Sequence, residues 1–360
     1  MSIRVLIVDD SKAMCHFLND VLSRDEDLEV VGYALDPYEA RAMIKTLRPD
    51  VLTLDVEMPR MDGLTFLRNL MRLHPLPVVM LSSLTAAGAE VTLEALSIGA
   101  VDFMVKRHPG SGDDYRSYVD DVIARVKSAG TAKTLARRSS SKGSANSNHP
   151  GYLSWARKVR AMRPVSDSVA QLIAIGASTG GPEAIREVLE SMYLPNCSVV
   201  VTQHMPARFM APFARRLNAL TEYNVVEAAR NEALRPGVCY VAAGDQHLVV
   251  RQQAGGLWVC RDNDEPHSGH RPSVDRMFRS VAEQAGASSV GVLLTGMGQD
   301  GARGLQCMRN AGAFTVVQDE ASSAVWGMPG TAVALDAVEA TLSLRDIGPT
   351  MRSLLWATPP

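Results

Sequence analysis

Residues 172–182 read LIAIGASTGGP. A short apolar run, Leu172 to Ile175, ends abruptly in small residues, and a helical pattern follows. The run has the length of a buried strand. Gly176, Gly180 and Gly181 permit a tight turn and close backbone approach. Pro182 suits the first helical position, where a missing N–H costs nothing. Ser178 stands at the crest of this strand, turn and helix. Residues 176–180 fit G-x-S-x-G, a pattern that presents a serine hydroxyl at a strand end. Taken alone, a serine at such a turn is more often an N-cap than a nucleophile.

The residues downstream repeat the alternation. Apolar runs predict strands over 197–202, 225–228, 238–241, 290–294 and 314–317, and a hairpin pairs 247–251 with 257–261. Helical patterns cover 183–192, 208–220, 274–283 and 301–311. This predicts a doubly wound, mostly parallel α/β domain with an antiparallel excursion, and such sheets bind ligands at the carboxyl ends of their strands. The second strand, SVVVTQ, ends at His204. The strand GVLLT runs into Gly296, Met297, Gly298, Gln299 and Asp300. Taken singly, His204 reads as a turn residue and Asp300 as a helix cap. Together with Ser178 they place a nucleophile, a base and an orienting acid at one sheet edge. The chain order, Ser then His then Asp, differs from that of the α/β-hydrolases, so the G-x-S-x-G match does not indicate that fold. A nucleotide site is disfavoured. G-A-S-T-G-G is not G-x-G-x-x-G, no G-K-[ST] follows, and the second strand ends in Gln203 and His204 where a ribose would need an acid. His267 and His270 could line a groove or offer another base, while Ser273 and Asp275 read more simply as caps of the next helix. The other histidines, His247 among them, carry no readable signal.

The N-terminal third has its own alternation. Strands are expected at 4–8, 28–33, 51–54, 78–81 and 101–105, with helical patterns between them. Five such units predict a parallel sheet covered on both faces. Asp9 and Asp10 follow the first strand, Asp55 ends the third, Ser82 the fourth and Lys106 the fifth. Three carboxylates, a hydroxyl and an amine therefore converge on one rim. Clustered carboxylates repel unless a cation joins them, and hard oxygen ligands suit Mg²⁺. With a lysine beside them, one carboxylate can accept a phosphoryl group as an acyl phosphate.

Composition bounds the rest. The chain of 360 residues is 46% hydrophobic and 21% charged, which fits two domains with sizeable cores. A formal net charge of -2 gives no global attraction to nucleic acid or an anionic membrane. The five cysteines are scattered without C-x-x-C spacing, so neither a disulfide framework nor a zinc site is indicated and a reducing compartment fits best. No run suits a signal peptide or a membrane span. No acidic residue occurs from Val122 to Ser166, and the Ser-, Gly- and Asn-rich middle reads as a flexible basic tether. Within it, residues 152–163, YLSWARKVRAMR, could form a short docking helix. The expected organisation is a first domain over 1–125, a linker over 126–165 and a second domain over 166–355.

The motifs VLIVDDS, LDVEMPRMDGL, LPVVMLSS and GAVDFMVKR resemble the receiver domain of two-component response regulators. That resemblance implies a flavodoxin-like fold with Asp55 as phosphoacceptor, Asp9 and Asp10 with Asp55 as Mg²⁺ ligands, and Ser82 and Lys106 on the phosphoryl oxygens. Phe103 stands at the family's switch-aromatic position, and Arg107 departs from its usual proline. The motifs IAIGASTGGP, VVVTQHMP, RPSVDRMF, VLLTGMGQDGA and the region around Trp326 to Pro329 resemble the catalytic domain of the chemotaxis protein-glutamate methylesterases. This second resemblance implies a Ser178, His204 and Asp300 triad, with Thr179 orienting the histidine and the Met297 N–H in the oxyanion hole. It further implies hydrolysis of glutamyl methyl esters on methyl-accepting chemoreceptors, deamidation of receptor glutamines, and no cofactor for the ester step. The implied phosphodonor is the chemotaxis histidine kinase. The implied protein is a cytoplasmic monomer without nucleic-acid or membrane partners, in which phosphorylating Asp55 uncovers the Ser178 edge.

Overall fold

The computed structural model describes residues 2–83, 85–107, 113–132, 172–228 and 230–355. From residue 133 onward the expected tether lies outside them, as does the basic stretch 152–163. The chain divides into two compact units, Met1–Ser141 and Lys142–Pro360.

In the first unit the strands are β1 (Ile3–Val8), β2 (Leu28–Ala34), β3 (Val51–Asp55), β4 (Val78–Ser82) and β5 (Asp102–Val105). They form one parallel sheet in the order β2-β1-β3-β4-β5. Every residue of β3 and β4 is buried, as expected of strands covered on both faces. The helices are α1 (Lys12–Leu22), α2 (Pro37–Leu47), α3 (Gly63–Leu73), α4 (Ala86–Ile98) and α5 (Asp113–Thr131). Side-chain caps set the starts of several: Ser11 accepts from the Met14 N–H, Asp36 from those of Tyr38 and Glu39, and Asp62 from that of Thr65. α5 runs through residue 125, where the sequence reading ended the domain, to Thr131.

In the second unit a wholly parallel seven-stranded sheet has the order β15-β14-β13-β6-β7-β10-β8. Its centre is β6 (Leu172–Ala177), flanked by β7 (Ser198–Gln203) and β13 (Ser289–Leu293); β14 (Phe314–Gln318) follows, β15 (Ala340–Leu342) closes one edge, and β10 (Val238–Val241) and β8 (Asn224–Glu227) close the other. The antiparallel excursion is a separate three-stranded sheet of β11 (His247–Gln253), β12 (Gly256–Asp262) and the short β9 (Asn231–Ala233). The helices are α6 (Gly181–Met192), α7 (Ala207–Leu220), α8 (Val274–Gln284), α9 (Ala302–Asn310), α10 (Gly327–Ala334) and α11 (Leu344–Leu355). α6 buries Ile185, Val188, Leu189 and Met192, a stripe at helical spacing. Burying each such aliphatic side chain contributes about 1.5–3 kcal/mol.

The chain leaves β6 toward β7 on one side and later returns to β13 on the other. The carboxyl end of β6 is therefore the topological switch point, where open α/β sheets hold their ligands.

Candidate active site and phosphoacceptor pocket

Ser178 immediately follows β6. The register pairs Ala177 with Gln203, so the next residues, Ser178 and His204, leave adjacent strands at the same level. The His204 N–H donates to the Ala177 carbonyl at 3.1 Å, the last ladder bond between the two strands. On the other side of β6, the Ser178 N–H donates to the Thr295 carbonyl at 3.0 Å. Gly180, at φ 74°, adopts the left-handed conformation that turns the chain into α6. Ser178 is half-buried, so the site opens at its own residue.

His204 and Asp300, 96 positions apart, meet at 2.8 Å between Nε2 and Oδ2. Asp300 is buried and its carboxylate sits on the amino end of α8. It accepts from the Val274 N–H at 2.7 Å, the Asp275 N–H at 3.0 Å, the Ser273 hydroxyl at 2.9 Å and the Gly301 N–H at 3.1 Å. A helix amino end favours an anion in this position. Burial pushes the Asp300 carboxyl up, but the hydrogen bond and charge of His204 and the two α8 N–H groups outweigh it and hold the group at about 2. An ionised Asp300 accepts from Nε2–H, which leaves the lone pair of the neutral ring on Nδ1. That atom is buried and has no partner among the described residues.

Three further residues support this pair, of which the sequence reading placed one, Ser273, as a helix cap. Ser273 caps α8 by accepting from the Arg276 N–H while donating to Asp300. His247 is fully buried, accepts the Ser273 N–H on Nδ1 at 3.1 Å and places Nε2 3.1 Å from the Glu265 carbonyl. Burial holds its imidazole below its ordinary value, as a neutral acceptor requires. Gln203 contacts the backbone of both Ser178 and His204. His270, a weighed alternative base, lies face to face with His204. His267 places Nε2 3.7 Å from the Asp275 carboxylate, next to Asp300 and outside the His204 pair. Only the histidine spacing in the sequence could have pointed to these contacts, and spacing does not reveal stacking.

Thr179 is buried, and its carbonyl accepts from the Thr295 hydroxyl at 3.0 Å. The same hydroxyl accepts from the Val325 N–H, and the Gln318 side chain accepts from the Thr295 N–H. This network fixes the chain just before Met297. Met297, two residues beyond Thr295, is half-buried.

In the first unit, Asp9, Asp10 and Asp55 offer carboxylate oxygens within 4.8 Å of one another. Asp9 and Asp55 are buried and Asp10 is exposed. The Lys106 ammonium lies 2.8 Å from both Asp9 Oδ2 and Asp55 Oδ2. Burial pushes the Asp55 carboxyl up to about 6 against the opposing pull of Lys106. Asp9 Oδ2 has that ion pair but no aligned hydrogen-bond donor. Three carboxylates whose hard oxygens lie within 4.8 Å of one another fit a divalent cation such as Mg²⁺. Ser82, at the end of β4, turns its hydroxyl toward α4, with the Gly88 carbonyl at 3.3 Å and the Thr92 hydroxyl at 2.6 Å. Phe103 is buried in β5, and the Arg107 guanidinium lies over the Tyr118 ring.

The family described as CheB methylesterase matches residues 173–351, and the response regulator receiver domain matches residues 5–111. A protein-glutamate methylesterase/protein-glutamine glutaminase of Xanthomonas oryzae is 49% identical over 355 residues, covering 98% of this chain and 97% of the relative. One of Hydrogenovibrio crunogenus is 46% identical over 374 residues, covering 98% and 99%. One of Saccharophagus degradans is 47% identical over 353 residues, covering 96% of each.

Proposed function

The chain belongs to the CheB methylesterase family, and on that footing we propose that it hydrolyses γ-glutamyl methyl esters, and deamidates glutamines, on chemoreceptors under the control of its own receiver. The observation that carries the reading is the 2.8 Å His204–Asp300 pair beside Ser178, on three neighbouring strand ends at the switch point. The near full-length matches to relatives bearing that activity in their names support the substrate.

Ser178 attacks the ester carbonyl while His204 takes its proton. Nε2 is committed to Asp300, so Nδ1 is the accepting nitrogen. Asp300 holds the required tautomer and stabilises the imidazolium that forms. The Met297 N–H faces the oxyanion, and Thr179 helps fix the turn. The imidazolium then gives its proton to departing methanol, or to ammonia from an amide. Water adds to the acyl-enzyme by the same route, releasing the glutamate carboxylate and restoring the serine hydroxyl.

In the receiver, Asp55 accepts the phosphoryl group from the chemotaxis histidine kinase, and Lys106 and Ser82 contact its oxygens. Asp9, Asp10 and Asp55 would hold Mg²⁺, which supplies charge neutralisation for the transfer. We assign the receiver to the expected 1–125 extended to the end of α5 at Thr131, the tether to the residues that follow up to 165, and the esterase to 166–355. Among the described residues no helix is long and apolar enough to cross a membrane. We place the protein in the cytoplasm as a monomer, acting on receptors and not on nucleic acid.

The test is methanol release from methylated receptor membranes. The wild-type chain should release methanol, and Ser178→Ala should lose at least about 10³-fold. Retained release in Ser178→Ala would sink the mechanism.

A further inference from the structure

Gln203 is the last residue of β7 and is 2% exposed. Its Nε2 donates to the Ser178 carbonyl at 2.9 Å and to the His204 carbonyl at 3.0 Å. One amide thus spans the backbones of the two residues that must exchange a proton. The parallel ladder stops one step earlier, at the bond from the His204 N–H to the Ala177 carbonyl. Beyond it, Gln203 is the described side chain that ties the serine turn to the histidine strand.

The amide's orientation follows from its partners. Turning Oε1 toward two carbonyls would set three acceptors against one another. In the orientation present, Oε1 is buried without a partner among the described residues. Buried acceptors are normally satisfied, so an apolar residue of similar length would fill this space at lower cost if filling were its role. The sequence also makes room for the amide. A Cβ at position 181 would overlap Gln203 Oε1, and the residue there is glycine.

The geometry assigns Gln203 as a positioning residue for the reaction: its two N–H groups fix the separation of Ser178 from His204 through their carbonyls. This inference rests on the triad reading above. It predicts a change in kcat and not in KM, because Gln203 is buried and its amide donates to main-chain carbonyls. Misplacing a reacting group by about 1 Å can cost about 10²-fold in rate.

The experiment uses the full chain and methanol release from receptor membranes. Gln203→Met keeps length and removes both donors. Gln203→Glu keeps shape, has no donor when ionised, and regains one O–H when protonated. The expected result for Gln203→Met is a fall in kcat of about 10- to 100-fold, with KM within about twofold and an unchanged circular dichroism spectrum. For Gln203→Glu, the ratio of its kcat to that of wild type should rise as pH falls. Taking the ratio to wild type removes the pH dependence that the two proteins share. A folded Gln203→Met with wild-type kcat overturns the assignment. If that variant does not fold, a Gln203→Glu ratio that is flat or rises with pH overturns it instead. Ser178→Ala is run alongside. Activity retained there defeats the triad itself, whereas an inactive Ser178→Ala beside a fully active Gln203→Met defeats only the role of Gln203.

Discussion

The imidazoles of His204 and His270 lie face to face, with ring centroids 3.8 Å apart and planes 12° apart. His270 closes a tight two-residue turn in which His267 and His270 exchange both backbone hydrogen bonds, so its ring is presented by a braced loop. The stack covers one face of the His204 ring, while Nε2 on its edge meets Asp300. An imidazole held on one face by a ring and on Nε2 by a carboxylate has little freedom to rotate. His270→Ala should lower kcat by roughly 3- to 10-fold with a small change in KM, and His270→Phe, which keeps the ring face, should restore most of it. Steady-state methanol release by the two variants checks this. An alanine variant as fast as wild type would show that the stack does not orient the base.

Asp300 carries the strongest charge argument of the site. Its carboxyl is held at about 2 against an ordinary 3.8. A depressed carboxyl stabilises the fold above its unfolded value, and the contribution is lost as pH falls through the folded one. The ionised group should therefore contribute on the order of 2 kcal/mol at neutral pH, and most of that should vanish between about pH 4 and pH 2. Urea unfolding of wild type and Asp300→Asn should differ at pH 7 and converge toward pH 3. The same substitution removes the acceptor that fixes the His204 tautomer, and kcat should fall by about 10³- to 10⁴-fold. A stability difference that stays the same from pH 7 to pH 3 would contradict the charge argument, and a variant with high kcat would contradict the tautomer argument.

Legibility followed the physics of parallel sheets. Strands such as Leu172–Ala177 and Ser198–Gln203 are buried at every position, so they appear in sequence as continuous apolar runs, and the residue after each run is where chemistry collects. Ser178, His204 and Asp9 directly follow such runs, Asp55 ends one and Asp300 lies on the loop beyond another, which is why the sequence reading proposed them. Asn231–Ala233 and Ala340–Leu342 were not, because three residues carry no periodicity. Ser273 and His247 act through contacts with residues 27 and 26 positions away. Nothing local marks such contacts. The choice of Nε2 over Nδ1 for Asp300 depends on ring orientation, which no residue pattern encodes.

The receiver prediction concerns coupling. Lys106 is shared between Asp9 and Asp55 at 2.8 Å each, so a phosphoryl group on Asp55 must compete with Asp9 for the ammonium. If that rearrangement controls the esterase, a small-molecule phosphodonor with Mg²⁺ should raise methanol release by about 5- to 150-fold, the range of ordinary coupling energies of 1–3 kcal/mol. Asp55→Asn should abolish the rise, and so should chelation of the metal. Equal stimulation of Asp55→Asn would place the control elsewhere.

The last prediction concerns stability in the receiver. Arg125 donates through Nη1 to both oxygens of Asp102 at 3.1 Å and through Nε to Asp121 at 2.9 Å. The Asp102 side chain is 7% exposed and that of Asp121 is 46% exposed. The two pairs should therefore have unequal weight. Breaking the outer one leaves a solvated carboxylate and costs about 0–1 kcal/mol. Removing Arg125 takes away the guanidinium that Asp102 pairs with in the interior, and breaking a buried pair costs about 3–5 kcal/mol. Denaturant titration of the full chain should show Asp121→Asn close to wild type and Arg125→Met strongly destabilised in the receiver transition. The double variant Arg125→Met with Asp102→Leu should recover much of the loss, because both charges of the buried pair are then removed together. Failure of that recovery would mean that Arg125 matters through the packing of its stem rather than through its charge.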